Sequence, residues 1–154
     1  MGRIYSIVFS AVAVTATQDF FSILPATQKP VKIHAVYLAQ TTDVGDAQEE
    51  MLRIQIIRGN TTTGSGGSAV TPRPMDSNDT ASGATCRVND TTPVSAGTAV
   101  ILHSETFNIR TGFVYVPTPE ARVRTQNAEF VVVQLMANPN DSITMSGTCV
   151  FEEV

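Results

Sequence analysis

Apolar and polar side chains alternate with a period of two along most of this chain, and the alternation predicts strands. Residues 4–14 form the first candidate and residues 20–24 a short second, ended by Pro25. In VKIHAVYLAQ, Val31, Ile33, Ala35 and Tyr37 fall on one face, with Lys32, His34, Val36 and Leu38 on the other. The first set is apolar throughout and the second only in part, as suits a strand near the middle of a sheet. MLRIQIIRG sets Leu52, Ile54 and Ile56 against Arg53, Gln55 and Ile57. TAVILHSETFNI, GFVYVP, EFVVVQLMA and SITMSGTCVFEEV follow. In the last, Ile143, Met145, Gly147, Cys149 and Phe151 alternate cleanly with Ser142, Thr144, Ser146, Thr148 and Val150.

No segment carries a sustained helical stripe. The best helical candidate is DVGDAQEEML, where Asp46 and Glu49 have capping-box spacing, and one short turn is expected there. Turn signals punctuate the rest, at Thr111-Gly112, Pro117-Thr118-Pro119 and Asn138-Pro139-Asn140-Asp141. About eight short strands, long polar connections and little helix predict an all-β, single-domain β-sandwich over residues 1–154, jelly-roll-like in its favoured version.

The middle of the chain breaks the pattern. Residues 59–97 are rich in Gly, Ser, Thr and Pro and poor in large apolar side chains. They read as one long irregular loop, longer than a compact domain ordinarily keeps without a use for it. Within it, Pro72 and Pro74 favour an extended path, and Arg73 between them offers a fork of donors to a carboxylate or a carbonyl. Thr71, Pro72, Arg73, Pro74 and Met75 are therefore the candidate protein-interface residues. The competing expectation is that the segment packs along its own sandwich.

Composition sharpens this picture. The 154 residues are 42% hydrophobic but only 16% charged, and 20 Thr and 11 Ser fill the polar positions. Thr is β-branched and suits a half-buried pleated surface. Two Lys stand against eight Arg. Arg is enriched and Lys depleted at protein interfaces, so the ratio favours a chain that works in contact with others, although a composition bias of the source genome would give the same ratio. A net charge of −4 gives no reason to expect nucleic acid as a partner. The opening MGRIYSIVFSAVAV resembles a signal peptide in outline and matches the bare myristoylation pattern, but Tyr5, Ser6 and Ser10 interrupt the apolar run. It is too short and too broken to span a bilayer, and it reads as the first strand. No membrane partner is expected.

Candidate chemistry is thin. His34 and His103 each sit within a predicted strand with no metal-ligand spacing. There is no GxSxG, and GSGGS is followed by neither a Gly-Lys-Ser/Thr nor a helix, so it is no phosphate cradle. Asp43, Asp46, Glu49 and Glu50 form an oxygen-rich loop that could take Ca²⁺, yet Gly45 is misplaced for an EF-hand and a solvated or Arg-paired loop fits better. With no Trp and three Tyr, platforms for stacking sugars are poor. The expectation is no catalytic residue, no cofactor and no bound metal. Cys86 and Cys149 give no CxxC and no metal spacing, and a disulfide between them or two free thiols both fit the pattern; Cys149 is expected to be buried, and Cys86 lies in an island, ATCRV, whose place the pattern does not fix.

Three stretches together, VKIHAVYLAQTTDVGDAQEEMLRIQIIRG, GSGGSAVTPRPMD and MSGTCVFEEV, resemble a family of small virion structural proteins of tailed bacteriophages, associated with capsid decoration, or cement. The resemblance implies a non-enzymatic jelly-roll-like homo-oligomer, a homotrimer by family habit, on the outside of the head. The major capsid protein and further copies of itself would be its partners, and the host cytoplasm its place of assembly, a reducing compartment in which Cys86 and Cys149 are expected to be free thiols. A receptor- or carbohydrate-binding module of a tail or fibre is the alternative within the same match.

Overall fold

A computed structural model describes residues 2–41 and 49–154. Twelve strands run along the chain among these residues: β1 Arg3–Val14, β2 Gln18–Leu24, β3 Val31–Gln40, β4 Met51–Arg58, β5 Ser68–Val70, β6 Arg73–Pro74, β7 Thr85–Asp90, β8 Val100–Asn108, β9 Phe113–Tyr115, β10 Arg124–Thr125, β11 Val131–Leu135 and β12 Ile143–Glu153. One 3₁₀ turn, Pro119–Ala121, is the helical content of the described residues. The expected turn around DVGDAQEEML lies mostly outside them, although Met51 and Leu52 already belong to β4. No helix among the described residues is long and apolar enough to cross a membrane.

The strands form two antiparallel sheets packed face to face, the predicted β-sandwich. The first has the order β10-β3-β12-β1-β6, with β9 also pairing β3, and the second the order β5-β7-β2-β11-β4-β8. Alternation decides which side chains lie between them. Tyr5, Ile7 and Phe9 of β1 and Met145, Cys149 and Phe151 of β12 come from the first sheet. Phe21, Ile23, Ile54, Ile56, Val131 and Val133 meet them from the second. Rings join the layers at both sides of the sandwich: Phe9 and Phe21 lie 5.3 Å apart between centroids, Phe107 and Phe113 5.6 Å. Cys86 and Cys149 are free and buried in this core, and burial pushes both thiols up.

Two expectations need correction. Strict period two in β3 fails at a register shift opposite Val150 and Phe151, where a bulge inserts one residue. Beyond it Val36 and Leu38 turn inward, and Tyr37 faces solvent instead of joining Val31 and Ile33. The segment 59–97 is also not irregular throughout. Antiparallel bridges Thr62–Ser95 and Ser65–Thr92 lead into the β5–β7 ladder, so the two limbs form one ribbon. β7 then pairs with β2, and Ala84, Cys86 and Val88 enter the core. Few apolar residues suffice because the ribbon needs only one buried face. Its entry and exit touch backbone to backbone: a Cβ on Gly97 would stand 2.3 Å from the Gly59 carbonyl oxygen.

Candidate functional site

The predicted interface residues mark where the ribbon changes sheets. Val70 ends β5 in the second sheet and Arg73 begins β6 in the first, so Thr71 and Pro72 cross the side of the sandwich. Pro72 is buried and Pro74 half-buried, while Thr71, Arg73 and Met75 are exposed. Pro74 sits opposite Tyr5 on an edge strand, where a missing N–H costs nothing. The Met75 amide donates to the Ile4 carbonyl at 2.8 Å, and the Tyr5 hydroxyl to the Thr80 carbonyl at 2.9 Å. Arg3 holds the return limb by an ion pair to Asp79 at 3.3 Å. Three of the five candidate residues, Pro72, Arg73 and Pro74, thus belong to the sandwich itself.

Buried polar groups fasten the ribbon further along. Asp19 of β2 accepts hydrogen bonds from the Val94 amide and the Gln134 side-chain amide, each at 2.8 Å. Asp90 takes the Gly67 amide at 2.9 Å and the Arg87 guanidinium at 2.9 Å. This strap presses Val94 against Ile57, Phe130 and Val132, a second apolar cluster on the outer face of the second sheet. Burial raises the Asp19 carboxyl to about 6, against the two hydrogen bonds that favour its charged form. At the other end of the ribbon Glu153 accepts from the Gly83 amide at 2.8 Å and pairs with Lys29 at 3.6 Å.

The two histidines are not brought together. His34 bonds Glu152 at 2.8 Å on the outer face of the first sheet, and the hydrogen bonds from His34 and the Gly2 amide, with the Lys32 charge 3.6 Å away, hold that carboxyl below the usual range despite its partial burial. His103 bonds Glu105 at 2.9 Å on β8 and packs on Tyr115 with centroids 4.6 Å apart. Asp43 and Asp46 lie outside the described residues. Glu49 accepts from the Asn108 side chain, and Glu50 from the Asn140 amide at 2.8 Å. Among the described residues no three His, Cys, Asp or Glu side chains gather as a metal site.

What the fold does assemble is an uncharged sheet face. Register aligns Val114, Tyr37, Thr148 and Val8 in one row across β9, β3, β12 and β1. Val8 is 55% exposed, Tyr37 43% and Val114 62%. Val150 and Ala35 lie to one side of the row, Ser146 and Ala39 to the other. A shallow depression of about 270 Å³ opens beside Tyr37, Val114 and Ser146. Charge lies at the margins of the face: Arg73 on the edge strand β6, opposite Ser6, and Glu152, Lys32 and His34 at one end. Sequence reading missed this surface because the bulge in β3 decides where Tyr37 points.

No protein-family model matches the chain, and no curated protein does. Two solved structures align along nearly all of it. It is similar, at 7% identity and a TM-score of 0.23, to the VP16–VP17 complex of the two major capsid proteins of bacteriophage P23-77, over 98% of each chain. The second is VP17, a capsid protein of the same phage, at 6% identity and a TM-score of 0.22, over 98% of this chain and 96% of that one. Scores of this size do not establish a shared fold.

Proposed function

We propose that the chain is a non-enzymatic structural protein of a bacteriophage particle that binds the outside of the head and stabilises it, as a decoration or cement protein. The observation that carries this reading is the uncharged outer face of the first sheet. A soluble sheet face ordinarily alternates to charged residues on its water side. Here four neighbouring strands place exposed Val8, Tyr37 and Val114 among Thr, Ala and Ser, and such a row of open apolar side chains supports a surface covered in an assembly. The resemblance of the three sequence stretches to virion structural proteins supplies the kind of assembly. The partners are then the major capsid protein and further copies of this chain, with a homotrimer as the proposed oligomer. Thr71, Arg73 and Met75 at the sheet crossing remain exposed for contact with a neighbour.

Gel densitometry of purified particles tests the reading. A decoration protein is present in hundreds of copies, in a fixed ratio to the major head protein. A count in the tens would move it to a tail or fibre, and its absence from particles would end the proposal.

A further inference from the structure

Strand edges offer unpaired main-chain groups, and folded proteins usually keep them short or break them. Here β5, β6, β9 and β10 at the periphery of the sheets are three, two, three and two residues long. Two longer edges stay open among the described residues: β1 beyond Ser6, and β8, which is nine residues long, without proline, paired only with β4 and bulged at Leu102. The first three residues of β8, Val100, Ile101 and Leu102, are all exposed, Ile101 by 58%. The bulge interrupts the ladder at Leu102 alone, and the aliphatic side chains around it stay uncovered, a feature natural sheets avoid unless something covers it.

A second feature lies at the same end. Val100 borders a cleft of about 600 Å³ whose other walls are Arg58, Arg124, Thr125, Gln126 and Glu129. Arg58 sits opposite Val100 in the β4–β8 register and donates to the Arg124 carbonyl at 2.9 Å. Neither arginine has a carboxylate within ion-pair distance among the described residues. Glu129, on the same cleft, accepts from the Thr125 hydroxyl at 2.9 Å. In a chain of net charge −4, two arginines without carboxylate partners beside an open aliphatic edge are a specific arrangement.

We propose that β8 and the cleft at its Val100 end form a docking site for an extended, acidic segment of another polypeptide. The segment adds antiparallel to β8 as a further strand, so its C-terminal end reaches the cleft and its carboxylates meet Arg58 and Arg124. A second copy of this chain fits less well. The open main-chain edge of its own first sheet is the part of β1 beyond Ser6, IVFSAVAV, which carries no carboxylate. On β8 itself the acidic residue, Glu105, lies mid-strand and already bonds His103. The inference goes beyond the particle reading and does not depend on it.

The test is selection from a displayed random-peptide library on the immobilised full chain. Enriched peptides should alternate β-branched residues and carry Asp or Glu towards their C-terminal end. A synthetic copy of the leading peptide should protect the β8 amides from hydrogen exchange. Its affinity should fall about tenfold or more in the Arg58→Gln/Arg124→Gln double variant, and similarly in Ile101→Lys. The charge-preserving Arg58→Lys/Arg124→Lys variant should keep most of the binding, and unchanged circular dichroism should show all three variants folded. No enrichment, enriched peptides without acidic residues, or equal binding by the glutamine variant overturns the proposal. So does concentration-dependent protection of β8 in the chain alone, which would give the edge to a second copy.

Discussion

At the scale of single residues, Asp19 ties stability to pH. Its carboxyl titrates near 6 in the folded chain against 3.8 for a free Asp, because burial penalises the charge. The folded state therefore holds its proton more tightly than the unfolded state, and stability falls as pH rises through the window from about 4 to about 6. Glu152 has the opposite sign. Its lowered carboxyl contributes above the ordinary value of 4.5, and that contribution is lost as pH falls further. Thermal unfolding should therefore show a maximum near pH 4, where the two windows meet, with lower midpoints at pH 7 and pH 3. Asp19→Asn should flatten the alkaline side, because an amide oxygen still accepts from Val94 while Gln134 turns its own oxygen to the new N–H₂. An unchanged profile in that variant would assign the dependence to another group. Gly147 is a second pressure point. It lies on the inner face of β12, where an added Cβ would stand 2.6 Å from Leu38 and 2.8 Å from the Phe9 ring. Gly147→Ala should cost about 1–3 kcal/mol of stability in denaturant unfolding, the range of an overpacked core.

Among the elements, the ribbon of residues 59–97 separates the parts of the fold that were legible in the sequence from those that were not. Strands with their own alternating pattern, such as β4 and β12, could be placed by eye. The ribbon could not, because its burial is supplied by partners far away in sequence: β2 beneath Cys86 and Val88, and the Asp19 carboxylate holding Val94. Neither contact has a local signature. Nor does the sequence show that the crossing between sheets buries Pro72, one of the proposed interface residues. Arg58 and the β8 edge left a visible trace, the aliphatic run VIL where period two calls for a polar residue, but the run alone does not say which strand lies at an edge. Replacing residues 61–75 by a short Gly/Ser linker removes β5, β6 and the packed Val70 and uncovers β7. The expected loss is roughly 2–5 kcal/mol in chemical denaturation. A variant as stable as the parent would make the segment an appendage after all.

For the molecule as a whole, the two sheets divide the surface by chemistry. The second sheet covers its outer face with its own ribbon, so Ile57 and Val132 are shielded from water. The first sheet covers nothing with its chain, and the row Val8, Thr148, Tyr37 and Val114 stays open. A particle surface is proposed to supply that cover. The most direct measurement is cosedimentation of the purified protein with particles stripped of it, comparing the parent with Val8→Lys/Tyr37→Lys. Both side chains point to solvent, so the variant should fold with an unchanged circular dichroism spectrum. The expected result is a parent that pellets with the particles at a saturating stoichiometry and a variant that stays in the supernatant. A variant that pellets as well as the parent, or a parent that never binds, contradicts the assignment of this face to the head.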